Sequence, residues 1–129
     1  MKNPYEQLLS RKRKWSPVRP TKGQCREGAE ETIKRAIAIR HMELPVGDFI
    51  TEALKYEVPK YARDLLLSNV EDELNHDLAL GYVADAIGMD QKAEEEAIRL
   101  RTAWETHPDH TILKALVAER AIFFVLLPF

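Results

Sequence analysis

Residues 60–87, KYARDLLLSNVEDELNHDLALGYVADAI, constrain this chain more than any other stretch. They read as one long amphipathic helix. Spacings of three and four along one face select Ala62, Leu66, Asn69, Glu73, His76, Leu80, Val83 and Ile87. Glu73 and His76 thus interrupt a stripe that is otherwise mostly apolar. A carboxylate on the buried side of a helix is costly unless something pairs with it or neutralises it. A bound metal ion is one answer. A buried polar network, in which Glu73 pairs with His76, Arg40 or Arg120, is the other.

The rest of the chain is expected to be all-α. Glycine is scarce, at five in 129 residues, and 45% of residues are hydrophobic, a balance that suits a single helical core better than a sheet. Residues 1–24 stand apart, with Arg11, Lys12, Arg13 and Lys14 in a row and prolines at 4, 17 and 20. Prolines at that density predict an extended arm with one helical turn around Tyr5 to Leu9. The basic run beside Trp15 has the chemistry to touch phosphates and stack on a base. The net charge of −2 and the lack of a second basic patch argue against nucleic acid. They favour an arm that packs Trp15 and Tyr5 onto the body or onto a second subunit.

Residues 25–129 form the predicted helical bundle domain. A first helix over residues 26–44 carries Ile33, Ile37, His41 and Leu44 on one side and is expected to end at Pro45 and Gly47. Asp48 then caps a short helix over 49–57, and Pro59 takes a first-turn position in the long helix. Asp90 caps a helix running to Thr106, with Ala93, Ala97, Leu100 and Trp104 inward and Arg99 reaching back to Glu95. A last helix begins near Asp109. Its stripe of Ile112, Leu116, Glu119, Phe123 and Leu126 again sets one acid in an apolar row. The single Cys25 excludes an internal disulfide, and no apolar run is long enough for a membrane span. With no signal-peptide core at the start, a cytoplasmic protein is expected. The apolar end IFFVLLPF calls for burial, a covering subunit or a longer protein.

Glu73 and His76 lie three apart, so both can reach one ion from one helix face. This mid-helix Glu-x-x-His, with one helix before it and a later helix carrying the lone Glu119, resembles the ferritin-like di-iron carboxylate superfamily. The resemblance covers about residues 26–129. It implies a ferritin-like helical bundle in which Glu73, His76 and Glu119 are metal ligands and Glu43 is the first-helix ligand, with Glu31 and Glu52 as fallbacks. Asp72 and Asp77 would accept hydrogen bonds beside the motif. The family's second Glu-x-x-His has no counterpart here. Either another part of a longer protein supplies it, or a second copy completes the site as a homodimer, or the site holds no metal.

The resemblance implies two iron ions, with manganese or zinc as alternatives, and oxidase or oxygenase chemistry on a small organic substrate, with no catalytic residues beyond the ligands. Iron oxidation and storage is a weaker implication, because the arm and the extra short helix do not suit a compact cage. A metal-free helical interaction protein is the competing expectation. The other chemistry-bearing residues read more simply. His107 and His110 suit a helix junction and cap, His41 and Trp104 suit the core, and Cys25 is incidental.

Overall fold

A computed structural model describes residues 3–122, and every regular element among them is helical. In chain order these are α1 (Pro4–Arg11), α2 (Glu30–Ala36), a 3-10 turn (Ile37–Met42), α3 (Glu43–Ala53), α4 (Lys60–Ile87), α5 (Gln91–Thr106) and α6 (Thr111–Val117). A π-helical turn, Ala118–Ile122, continues α6. The long α4 is the axis: α1, the 3-10 turn and α3 lie along it, α6 lies on α3, and α5 lies on the 3-10 turn. No described helix is long and apolar enough to cross a membrane.

The expected break at Pro45 and Gly47 does not occur. Helix continues without a loop through residues 30–53, first as α-helix, then as 3-10 turn, then as α3. Proline is tolerated in the first turn of an α-helix, and Pro45 is the third residue of α3. The tighter 3-10 turn before it shifts the hydrogen-bond register, so the missing N–H costs little. Asp48 therefore caps nothing and sits exposed within α3, and Pro59 is the N-cap of α4 rather than a first-turn residue.

Gly47 lies on α3 against Val70 and Glu73 of α4. A Cβ there would stand 3.6 Å from the Glu73 Cβ and 3.8 Å from the Val70 Cγ1, ordinary contact distances. Gly47→Ala should therefore fit and gain about 0.5–1 kcal/mol from helix propensity, read as a raised denaturation midpoint. A fall in the midpoint would show that the two helices cannot spare the space.

The hydrophobic core joins Val46, Phe49 and Ile50 of α3 to Ala115 and Ala118, with Leu66, Val70 and Trp104 against it. The face of α6 turned inward differs from the expected one. Lys114, Ala115 and Ala118 are buried, whereas Ile112 and Leu116 are exposed. Two alanines let α6 approach α3 closely. The Lys114 ammonium lies 4.5 Å from the Phe49 ring centre and donates to the Glu105 and His107 carbonyls at the end of α5. Leu100 is likewise exposed rather than inward, and Arg99 pairs with Glu96 rather than Glu95. Residues 123–129, including Phe123 and Leu126 of the expected stripe, lie outside the described residues.

The N-terminal arm is more ordered than its prolines suggest. Asn3 caps α1 by accepting from the Tyr5 N–H at 2.9 Å, and Pro4 occupies the first helical position, where it needs no N–H. After α1 the arm runs along α4, with Lys12 bonded to Asn69 and Asp72 and Arg19 bonded to Asp85.

Candidate metal centre

Glu43 and Gly47 lie one turn apart on α3, and Glu73 and His76 lie one turn apart on α4. The close approach at Gly47 therefore brings Glu43 over the Glu-x-x-His pair. The His76 Nδ1 stands 3.3 Å from the Glu43 Oε2 and 3.4 Å from the Glu73 Oε2. One ligand atom from each of Glu43, Glu73 and His76 lies within 4.8 Å of the other two. The two carboxylates are buried, while 44% of the His76 side chain is exposed.

Both facing oxygens, Glu43 Oε2 and Glu73 Oε2, are buried with no partner that meets hydrogen-bond geometry. The contacts to Nδ1 are long for such bonds. Three groups thus point inward at one place without satisfying one another, which is unusual for buried polar atoms. Two hard carboxylate oxygens and an imidazole nitrogen form a donor set that suits Fe, Mn or Zn. Glu43, Glu73 and His76 make a possible metal site.

Glu119, on the π-helical turn, approaches Glu73 and lines the same cavity. It does not belong to the tight group of three. Although the residue as a whole is exposed, its carboxyl is half-buried. Burial of the carboxyl, then the Glu73 charge and a hydrogen bond to Glu73, push Glu119 up to about 7. Burial likewise raises Glu73 above the usual carboxylate range. His76 is pushed up to about 10, first by its contact with Glu43 and then by Glu73. The group as a whole therefore favours bound protons.

All three groups hold protons more tightly in the folded chain than in the unfolded one. Stability from the His76 proton is complete below its ordinary value of 6.5 and is lost as pH rises through about 10. The Glu119 contribution falls earlier, between 4.5 and about 7. The melting temperature of metal-free protein should fall as pH rises across this span. The increment added by a divalent metal should grow over the same span, because the ion displaces those protons. Melting curves at several pH values, with chelator and with metal, read both trends.

The cavity beside the centre holds about 540 Å³. Ile50, Leu66, Ile112, Leu113 and Leu116 wall it, and Glu73, His76, Glu119 and Arg120 line its polar side. Arg120 does not bond to Glu73. Arg40 lies instead toward Glu94 and Met89, so neither arginine serves the buried network considered above.

The fallback ligands are elsewhere: Glu31 pairs with Lys34, and Glu52 with Lys55. His41 is half-buried and pairs with Glu94. His110 caps α6, accepting from the Ile112 N–H at 3.2 Å, and His107 contacts Asp109. Cys25 is a partly buried free thiol. Asp77 is half-buried and outside the group. Asp72 turns to the arm, accepting from the Trp15 indole N–H at 3.1 Å and from Lys12. The Trp15 ring in turn lies 5.4 Å from the His76 ring, tilted by 32°. Sequence reasoning placed Trp15 on the body or on a second subunit and had no signal that its target was His76, 61 residues away.

Comparison with protein-family models, with curated proteins and with solved structures found no match to this chain.

Proposed function

We propose that the chain carries a ferritin-like carboxylate metal centre and serves in non-haem iron, or iron–manganese, oxidation of a small organic substrate. One observation carries the reading: the two orphaned carboxylate oxygens, from different helices, that face the His76 Nδ1. Glu43, Glu73 and His76 would hold one ion, and Glu119, next to Glu73, would hold or bridge to a second. Iron bound there would supply dioxygen binding and reduction. The chain's own share is to fix the ligands on rigid helices and to offer an apolar cavity that admits an organic molecule and limits water. Four ligands are fewer than two ions need, and a second copy of the chain supplies the remainder in this reading.

The test is metal analysis of protein purified without chelator, beside its native mass. Iron or manganese near one or two equivalents in a dimer is the expected result. Metal below about a tenth of an equivalent, even after anaerobic incubation with Fe²⁺, would favour the metal-free reading, in which protonated His76 alone bridges the two acids.

A further inference from the structure

We propose that the arm is a strap over the metal centre and that Trp15 is a positioning residue for His76. The inference rests on the metal reading above and extends it to how the ion is held and released.

Of the three clustered side chains, only His76 is substantially open to solvent. Burial by α3 and α4 therefore locks the carboxylates but leaves the imidazole ring free to turn. The contact that covers a face of the ring comes from the arm: the Trp15 indole, with ring centres 5.4 Å apart. The indole does not rest there loosely. Its N–H donates to the Asp72 Oδ1 at 3.1 Å, and its backbone carbonyl accepts from the Asn75 side-chain amide at 3.1 Å. Three residues earlier in the arm, Lys12 donates to the Asn69 Oδ1 at 2.8 Å and pairs with Asp72 at 2.5 Å.

Asn69, Asp72 and Asn75 or His76 follow one another at three- and four-residue spacing, so one row of α4 grips the arm and ends on the candidate ligand. Asp72 joins the two ends of the grip, because its carboxylate holds both Lys12 and the indole. Farther along, the Arg19 guanidinium lies 4.0 Å from the Tyr82 ring centre and bonds to Asp85 at 3.1 Å, which pins the arm beyond the site. The groups around a ligating histidine ordinarily fix its ring orientation and tune metal affinity. Here that task falls to a segment 61 residues earlier in the chain. The ion's release is then coupled to lifting of the arm, and high salt, which weakens the Lys12 and Arg19 pairs, speeds release.

The experiment uses the full chain in a Trp104→Phe background, so that Trp15 is the only indole. Co²⁺ is the probe. Binding should quench Trp15 emission. Trp15→Ala should speed removal of Co²⁺ by chelator by ~10-fold or more and shift its visible spectrum, whereas Trp15→Phe, which keeps a ring over His76, should stay within about threefold of the parent. An unquenched Trp15 with Co²⁺ bound, or a Trp15→Ala protein with unchanged spectrum and release rate, overturns the strap. If the parent takes up no Co²⁺, the metal reading itself fails. The strap is then decided in metal-free protein by nuclear magnetic resonance. Ring-current shifts of the His76 ring protons that vanish in Trp15→Ala support it, and signals unchanged by that substitution overturn it.

Discussion

Glu73→Gln should move two measurements in opposite directions. Metal uptake should fall to about a hundredth of the parent's affinity, because the amide keeps the shape but loses the charged oxygen that faces the His76 Nδ1. The metal-free protein should become more stable, by about 1 kcal/mol at neutral pH or above, because a buried acid without a full partner is removed. Glu43 remains to pair with His76 at 3.3 Å, so the imidazolium is not stranded. Denaturation of the chelated protein and Fe²⁺ or Co²⁺ titration read the two effects. A substitution that destabilises the metal-free chain while leaving metal uptake unchanged would mean that Glu73 serves the fold and not an ion.

Phe49→Ala should have the largest effect on stability. The ring is 7% exposed, sits among Val46, Ile50, Ala115 and Ala118, and faces the Lys114 ammonium. Loss of so large a buried ring costs about 3–4 kcal/mol, a large share of the stability of a domain of this size. It should lower the melting temperature by roughly 10 °C or more. The consequence reaches the centre, since Phe49 seats α6 and the turn that carries Glu119. As α6 loosens, the Glu119 carboxyl should titrate closer to 4.5 than to about 7, which carboxyl nuclear magnetic resonance reads. Phe49→Leu, which refills most of the volume, should cost less than half as much. A Phe49→Ala protein within about 1 kcal/mol of the parent would show that α6 is held by something else.

Much of the candidate centre was legible because it is written in one helix. Glu73 and His76 share a face of α4 whatever surrounds it, and Glu73 proves to be one of the two buried residues of that helix. Glu119 was picked out as an acid in an apolar row, but it lies outside the group of three, and the row turned a different side to the core than its period suggested. Here alanines 115 and 118, rather than Ile112 and Leu116, make the contact with α3. Period identifies a face, but the neighbour's shape decides which edge of it is covered.

Glu43 was harder to place. Reading Pro45 as a helix end left Glu43 at the fraying tip of its helix, where a buried ligand would be out of place. The 3-10 turn carries the helix past Pro45, and Glu43 becomes a mid-run residue one turn from Gly47. Nothing in local propensity distinguishes that outcome from a break, because in both Pro45 has no N–H left to satisfy.

The amino-acid order alone was enough to establish that the regular elements are helical, the face shared by Glu73 and His76, and the cost of setting an acid there. These follow from contacts between residues three and four apart, which every helix makes. The tertiary structure alone brought Glu43 over Glu73 and His76, brought Glu119 to Glu73, and laid Trp15 across His76. Those choices join residues 30 to 61 positions apart. They depend on how closely α3 and α4 approach at Gly47 and on where the arm finds its partners along α4, and neither is encoded in any short stretch of the chain.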